Sequence, residues 1–464
     1  MPQVKKIRTG NPMLDRLLKE LEKLLPGKVL TKEDALLAYS FDASPLQGRP
    51  WAVLLPDTKE EVLEVLKLAN HYKCPIITRG SGTSTTGSSV PLEGGIVLSL
   101  TRLNRILDFN EEERVVHCEP GVITGDLKRF VEKYNLFYPP DPSSYAFSTI
   151  GGNIATGAGG PRGLKYGTTK DYVLALEVGL PGGRLIRTGP KTLKKSSHYN
   201  LTPLFIGSEG TLGVILSAWL RLIPLPKKRA LFLVRSKDEA KLLGFINQIL
   251  RMGITPSSAE FIDQTSLLAL KLSNHPLVKS EDKALLLLEV DGKACCVEKE
   301  AQAIERALGD FGFSYEFSSD TSDMERLWEV RRSLSPSLRI LGSKKLSDDL
   351  TIPRRYNVEF LSYLRSHEKG SGIHITAFGH VGDGNFHVNI YYEEGDEEKA
   401  KKIRESLIKK VLELSGTVSG EHGIGFTKKA YFAMELSEEE LTLMRSLKAL
   451  FDPYGILNPG VKIP

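Results

Sequence analysis

Five of the nine histidines in this 464-residue chain, His367, His374, His380, His387 and His422, fall in its C-terminal quarter. In the segment HITAFGHVGDGNFHVNIYY the dipeptide Asp383-Gly384 is a signal for a two-residue hairpin turn. With these as turn residues, Gly382 faces Asn385, Val381 faces Phe386 and His380 faces His387. Directly opposed side chains leave one face of a sheet with Cβ atoms about 5 Å apart, close enough for two imidazoles to share a metal. Asn389, two residues beyond His387, projects from the same face. Further on, SGEHGIG presents Glu421-His422 in a glycine-flanked turn that could bring a carboxylate to the same centre. Two histidines and a carboxylate with open positions suit Zn²⁺ or another divalent ion; the alternative is a hydrogen-bonded pair of sheet histidines without metal. Arg331 falls on a long expected helix, Asp323 to Leu341, and only a shared site would give it more than a solvated role.

The elements that must position this chemistry begin far upstream. Trp51 to Leu55 reads as a strand, Thr58-Lys59-Glu60-Glu61 has the form of a capping box, and Val62, Leu63, Val65, Leu66 and Ala69 recur at helical spacing. A second strand, Pro75 to Thr78, completes a βαβ unit whose carboxyl end opens into RGSGTSTTGSSVP. That loop builds no core. Its glycines, hydroxyls and backbone N–H groups suit a pyrophosphate, and its place at the end of a parallel strand suits a ligand better than a linker. It is not the dinucleotide G-x-G-x-x-G fingerprint, because no amphipathic helix follows the glycines directly.

Asn11 to Leu25 places leucines on one face of a helix, Ile96 to Leu100 and Arg114 to Cys118 read as strands, and Thr124 to Tyr134 as a helix. A second loop-rich stretch runs from Tyr138 to Gly167, and long loops of this kind are functional or disordered. Leu174 to Gly179 and Leu185 to Thr188 read as a hairpin closed by Pro181-Gly182-Gly183, and LFIGSEGTLGVI (204–215) is a third glycine-marked segment. Three such segments suggest one extended ligand. Near residue 225 the character changes to strands and helices without glycine-rich loops, which implies an antiparallel sheet with helices on one face. The expected divisions are an N-terminal helical segment (1–45), a ligand-binding domain (46–225), a second domain with the histidine site (226–430), and a helix and tail (431–464).

Composition narrows the class. A hydrophobic content of 41% and a charged content of 26% are those of a globular protein, and a net charge of +5 with no aromatic-interleaved basic block does not imply nucleic acid. No run of about eighteen apolar residues and no signal-peptide pattern occurs, so a cytoplasmic protein, at most peripheral at a membrane through a partner, is expected. Cys74, Cys118, Cys295 and Cys296 have no metal or cluster spacing.

Taken together, RGSGTSTTG, PPDPSS, STIGGNIATGAGG, GSEGTLG, GHVGDGNFH, GEHGIG and the terminal NPG resemble the flavin-dependent dehydrogenases of 2-hydroxy acids, in particular their glycolate- and D-lactate-oxidising branches. The resemblance spans nearly the whole chain. It implies an α+β chain with a two-subdomain PCMH-type FAD-binding domain followed by an FAD-oxidase-type substrate domain with an antiparallel sheet. By motif, Arg79, Gly80, Ser81, Gly82, Thr83, Ser84 and Gly87 would cradle the FAD pyrophosphate, with Pro140, Asp141 and Ser143 along the cofactor. Thr149, Gly152, Asn153, Ala155, Thr156 and Gly160 would continue the contact, Gly213 and Ile215 would close it, and Asn458 would return to the flavin. Thr83 stands where covalent flavin binders of the wider superfamily have histidine, which implies noncovalent FAD.

The resemblance further makes His380, His387 and Glu421 ligands of a divalent metal, Zn²⁺ or Mn²⁺, His422 the base, and Arg331 the partner of the substrate carboxylate, with Ser335 and Asn389 nearby. The hydroxyglutarate branch has a lysine where this chain has Ser347, so lactate or glycolate is favoured over that dicarboxylate. The expected reaction oxidises a D-2-hydroxy acid to the 2-oxo acid. Competing readings are a metal-dependent hydrolase, which leaves the glycine segments unexplained, and a non-catalytic flavin subunit, against which the histidines and Glu421 speak. The electron acceptor is open: an iron–sulfur partner subunit, a quinone, an electron-transfer flavoprotein or a cytochrome. A homodimer is equally compatible with the sequence.

Overall fold

The computed structural model describes residues 11–463; the first ten residues of the expected N-terminal segment lie outside them. The chain divides into two compact units, one built from residues up to 158, 168–224 and from 421 onward, the other from 159–167 and 225–420.

The first unit holds two larger sheets with separate cores and a two-stranded pairing of Leu136–Phe137 with Ile223–Pro224. α1 (Pro12–Leu24) starts where the Asn11 side chain accepts the amides of Met13 and Leu14, and it buries Leu14, Leu17 and Leu21. β1 (Val29–Leu30), β2 (Ala52–Leu54), α2 (Lys59–Tyr72), β3 (Ile76–Arg79) and β4 (Ile96–Ser99) follow. The sheet order is β1-β2-β4-β3, so the expected strand–helix–strand unit is present but β4 lies between its strands, parallel to both. Val62, Val65 and Leu66 of α2 pack with Ile96 and Leu98 into one apolar core.

The second sheet combines β5 (Ile106–Asn110), β6 (Val115–Cys118), β7 (Val173–Leu180), β8 (Arg184–Arg187) and β9 (Val214–Arg221) in the order β5-β6-β9-β7-β8. The expected β7–β8 hairpin forms. Two helices, α3 (Thr124–Glu132) and α4 (Ile150–Thr156), lie in the sequence between β6 and β7, and Leu127 and Ile154 join Val116, Leu176 and Leu220 in the second core.

The second unit is a seven-stranded sheet whose strand pairs are all antiparallel. In chain order it contains β10 (Lys228–Ser236), α5 (Glu239–Arg251), β11 (Ser258–Ile262), α6 (Gln264–Leu272), β12 (Ala284–Gly292), α7 (Ala294–Phe311), β13 (Ser314–Ser318), α8 (Thr321–Arg332), β14 (Lys344–Thr351), α9 (Asn357–Glu368), β15 (His374–His380), β16 (Asn385–Tyr392) and α10 (Glu397–Glu413). The sheet order is β13-β10-β12-β11-β15-β16-β14. The single helix expected from Asp323 to Leu341 is instead three pieces: α8, a short turn of helix at Leu334–Ser337 and a 3-10 turn at Leu338–Leu341. Pro336 has no N–H to bond the carbonyl four residues back, so the helix ends at the residues before it.

After α10 the chain returns to the first unit through α11 (Glu438–Phe451). Its tail lies beside β3: the Ile76 amide donates to Ile456 O (2.7 Å) and the Asn458 amide to Ile76 O (2.8 Å). Among the described residues no helix is long and apolar enough to cross a membrane.

Candidate active site

The hairpin register differs from expectation by two residues. Phe378 pairs with His387 and Thr376 with Asn389, while His380 pairs with Glu260 of β11. The turn closes earlier, with the Asp383 amide donating to His380 O (3.1 Å) and the Gly384 amide to Val381 O (3.3 Å). Gly384 (φ +84°) serves a tertiary contact: its carbonyl accepts the Ile352 amide (3.0 Å), and a Cβ there would lie 2.0 Å from Ile352 O. A shift of two preserves the face, because side chains alternate with period two. The His380 and His387 rings therefore still meet, with centroids 5.0 Å apart and Nε2 atoms 3.4 Å apart.

Two buried carboxylates flank the pair. Glu260, 1% exposed, is held by His380 Nδ1 on one oxygen and by Arg331 Nε at 2.8 Å on the other. Burial pushes its carboxyl up, but His380 and Arg331 outweigh that and hold it at about 2. Asp349 pairs with His387 across β14 and β16, its Oδ1 3.9 Å from His387 Nδ1. Asp349 accepts from Asn385 Nδ2 (2.6 Å) and Ser419 Oγ (3.3 Å). The sequence reading missed both acids. Their signal was an acid inside the buried strand SAEFI and beside Leu350 in the buried stretch of KKLSDDLT, where an unpaired carboxylate would be costly.

The second unit thus brings together two histidines whose Nε2 atoms could share a metal ion, with Asp349 beside His387. With Glu260 on Nδ1, His380 has its Nε2 directed to the pair, the arrangement in which an outer carboxylate orients a metal-ligating imidazole. Two nitrogens at about 2.1 Å from a tetrahedral ion lie about 3.4 Å apart, which matches the Nε2 separation. Arg331 stacks over Phe378 (4.8 Å to the ring centre), and among the described residues its two Nη groups donate to no protein acceptor. Asn389 is buried on the same sheet face, accepting from Ser347 Oγ (2.7 Å) and donating to Thr376 Oγ1 (3.3 Å). Ser335 is exposed, beyond the helix break. Glu421 and His422 follow directly on Gly420, whose amide donates to Asp349 O (3.3 Å); they open the segment that belongs to the first unit.

In the first unit the glycine-rich loop leaves the end of β3, which is parallel to β4. Among the described residues the amides of Gly80, Ser81, Gly82 and Thr83 donate to no protein acceptor, so the loop offers the donors a pyrophosphate needs. Arg79 is buried, donates to Phe41 O (2.8 Å), and burial lowers its guanidinium from the usual range. Ser84 Oγ accepts from Ser88 Oγ (2.9 Å), and Gly87 is buried. Thr149 caps α4 by accepting the Gly152 amide, Asn153 donates to Thr124 Oγ1 (2.7 Å), and Thr156 Oγ1 donates to Gly152 O (3.0 Å). Pro140 is buried, Asp141 binds Lys128, Ser143 is exposed and Ala155 is half-buried. Gly213 and Ile215 pack within the β9–β7 pair, while Gly160 lies in the short segment that belongs to the second unit. The Asn458 side chain accepts from the Thr78 amide (2.8 Å) and donates to Ser88 O (3.2 Å) and Glu209 O (2.7 Å).

Two sheets with a glycine-loop ligand site, followed by an antiparallel sheet with a histidine–carboxylate cluster, define a flavin-linked oxidoreductase architecture. The chain belongs to the FAD-linked oxidases: a model of the FAD binding domain matches residues 50–189, and one of the C-terminal domain of FAD linked oxidases matches residues 225–461. It is 40% identical to the glycolate oxidase subunit GlcD of Bacillus subtilis over 91% of each chain. It is 33% identical to a D-lactate dehydrogenase of Anaerostipes hadrus, over 97% of this chain and 98% of that one. Among solved structures, an alkyldihydroxyacetonephosphate synthase (TM-score 0.77, 19% identity, 99% and 87% coverage) and p-cresol methylhydroxylase (TM-score 0.77, 19% identity, 97% and 96% coverage) share the fold.

Proposed function

We propose that this enzyme oxidises a small D-2-hydroxy acid, D-lactate or glycolate, to the 2-oxo acid. The observation that carries the reading is the network Arg331–Glu260–His380, in which a single carboxylate anchors both a cation and one of the paired imidazoles. Anchored through Nε, Arg331 presents its Nη fork to a substrate carboxylate, a bidentate contact that fixes the acid's orientation. His422 takes the hydroxyl proton as Cα gives up its hydride. FAD, cradled without a covalent bond by the loop at Gly80 to Ser84 and by the segments at 140–160 and 213–215, supplies the redox step. A divalent ion, Zn²⁺ or Mn²⁺, held by His380, His387 and Glu421 supplies Lewis acidity toward the hydroxyl. Glu421 is assigned as ligand because it is the next residue after Gly420, which is bonded to Asp349 beside His387. The relatives' names support these acids: one is a glycolate oxidase subunit, another a D-lactate dehydrogenase. That the Bacillus subtilis relative is a subunit of a glycolate oxidase further supports delivery of electrons to a partner protein.

One observation favours a second reading, a dicarboxylate such as D-2-hydroxyglutarate. In the β14–β16 register Lys345 falls on the same sheet face as Ser347 and Asp349, placing a cation two residues from the neutral Ser347. An anaerobic absorbance titration with D-lactate, L-lactate, glycolate and D-2-hydroxyglutarate, with and without chelator, tests both. Bleaching by D-lactate or glycolate, lost with chelator and restored by Zn²⁺ or Mn²⁺, is the expected result. Bleaching by D-2-hydroxyglutarate alone establishes the second reading, and a flavin band that no acid bleaches removes both.

A further inference from the structure

Glu209, in the segment GSEGTLG, is 3% exposed and has φ +52°, a left-handed conformation that residues other than glycine, asparagine and aspartate rarely adopt. Its main chain is pinned, the amide to Ala155 O (2.7 Å) and the carbonyl to Asn458 Nδ2 (2.7 Å). Its carboxylate accepts two consecutive buried amides, Ile424 on Oε1 and Gly425 on Oε2, each at 2.7 Å. These belong to the EHGIG turn that carries His422. The turn closes onto the carboxylate so tightly that a Cβ on Gly423 would lie 2.7 Å from Oε1. Thr86 of the first glycine loop also bonds the turn: its carbonyl accepts the Phe426 amide (2.9 Å) and its hydroxyl donates to His422 O (3.4 Å).

We propose that Glu209 is a positioning residue, a carboxylate clamp that fixes the main chain directly after His422 and so sets where its imidazole stands. The role rests on the reading of His422 as proton acceptor. An unfavourable backbone conformation persists where its surroundings demand it, and here it delivers a charged acceptor to two otherwise unsatisfied amides. Because the same turn is bonded to Thr86, the clamp ties the base to the loop that cradles the flavin.

The test uses the flavin-loaded protein and the variants Glu209→Gly, Glu209→Gln and His422→Asn. Glycine accepts the left-handed backbone freely and removes the clamp together with the longer Lys462 ion pair (3.7 Å); glutamine also gives up that ion pair but keeps the size and offers one acceptor where two amides need bonding. For E209G we expect kcat to fall by about 100-fold, the effect of misplacing a reacting group by roughly 1 Å. KM and flavin absorbance should stay within about threefold, and the Ile424 and Gly425 amides should exchange with deuterium at least about tenfold faster. E209Q should fall between. A kcat for E209G within threefold of wild type, or unchanged exchange at those amides, overturns the proposal. So does a loss of flavin occupancy and thermal midpoint together with wild-type kcat in the loaded fraction, the signature of a merely structural residue. If H422N retains wild-type kcat, the base assignment fails instead, while the exchange rates still decide whether the clamp exists.

Discussion

Glu260 concentrates the chemistry of the second unit in one carboxylate. With Arg331 and His380 both bonded to it, removing its charge leaves the half-buried Arg331 guanidinium without its counter-ion and weakens the acceptor of His380 Nδ1. Glu260→Gln should therefore cost about 3–5 kcal/mol of stability, read by urea unfolding. Arg331→Lys keeps the charge but loses the planar fork. Its effect should appear in kcat/KM for the 2-hydroxy acid, lowered about 10- to 100-fold and mostly through KM, with the flavin spectrum unchanged. The metal assignment predicts about one equivalent of Zn²⁺ or Mn²⁺ per chain by elemental analysis, lost in His387→Ala. Metal retained by that variant would remove His387 from the ligand set.

At the scale of elements, α8 docks on the sheet through two polar contacts spaced three residues apart. Trp328 Nε1 donates to Glu289 (2.9 Å) and Arg331 to Glu260, on the neighbouring strands β12 and β11. Residues three apart share a helix face, which is why one helix reaches both acids. Glu289 also receives the Arg229 fork at 2.8 and 2.9 Å. Burial raises its carboxyl, but Arg229 more than reverses this, so its folded value lies below the ordinary 4.5. A depressed folded value means the stabilisation is complete above about pH 4.5 and is lost as pH falls through the folded value. Thermal melts should drop below that pH, and Glu289→Gln should flatten that part of the profile while lowering stability at neutral pH. An acid limb of unchanged slope in the variant would assign the loss to other groups.

For the molecule as a whole, the C-terminal tail stitches chain end to chain start. Asn458, 3% exposed and at φ +41°, satisfies the Thr78 amide and the carbonyls of Ser88 and Glu209, all more than 200 residues away in sequence. Asn458→Ala leaves these buried groups unpaired and should cost about 2–3 kcal/mol in urea unfolding, with weaker flavin retention on gel filtration. Unchanged stability would show that water replaces the side chain.

The sequence by itself determined the glycine-marked loops, the break in character near residue 225, the hairpin bearing His380 and His387 and the sheet face they share. All depend on short-range pattern: turn residues, apolar periodicity and the two-residue alternation of strands. Only the tertiary structure decided the hairpin register, because the turn spans residues 381–384 instead of Asp383-Gly384 alone and Gly384 within it also bonds Ile352. It also decided the partners. Glu260 meets Arg331 and His380 across 71 and 120 residues, and Glu209 meets Gly425 across 216. A carboxylate inside a strand announces that it needs a partner, but which cation or amide satisfies it depends on strand order and loop closure, and no local pattern carries those.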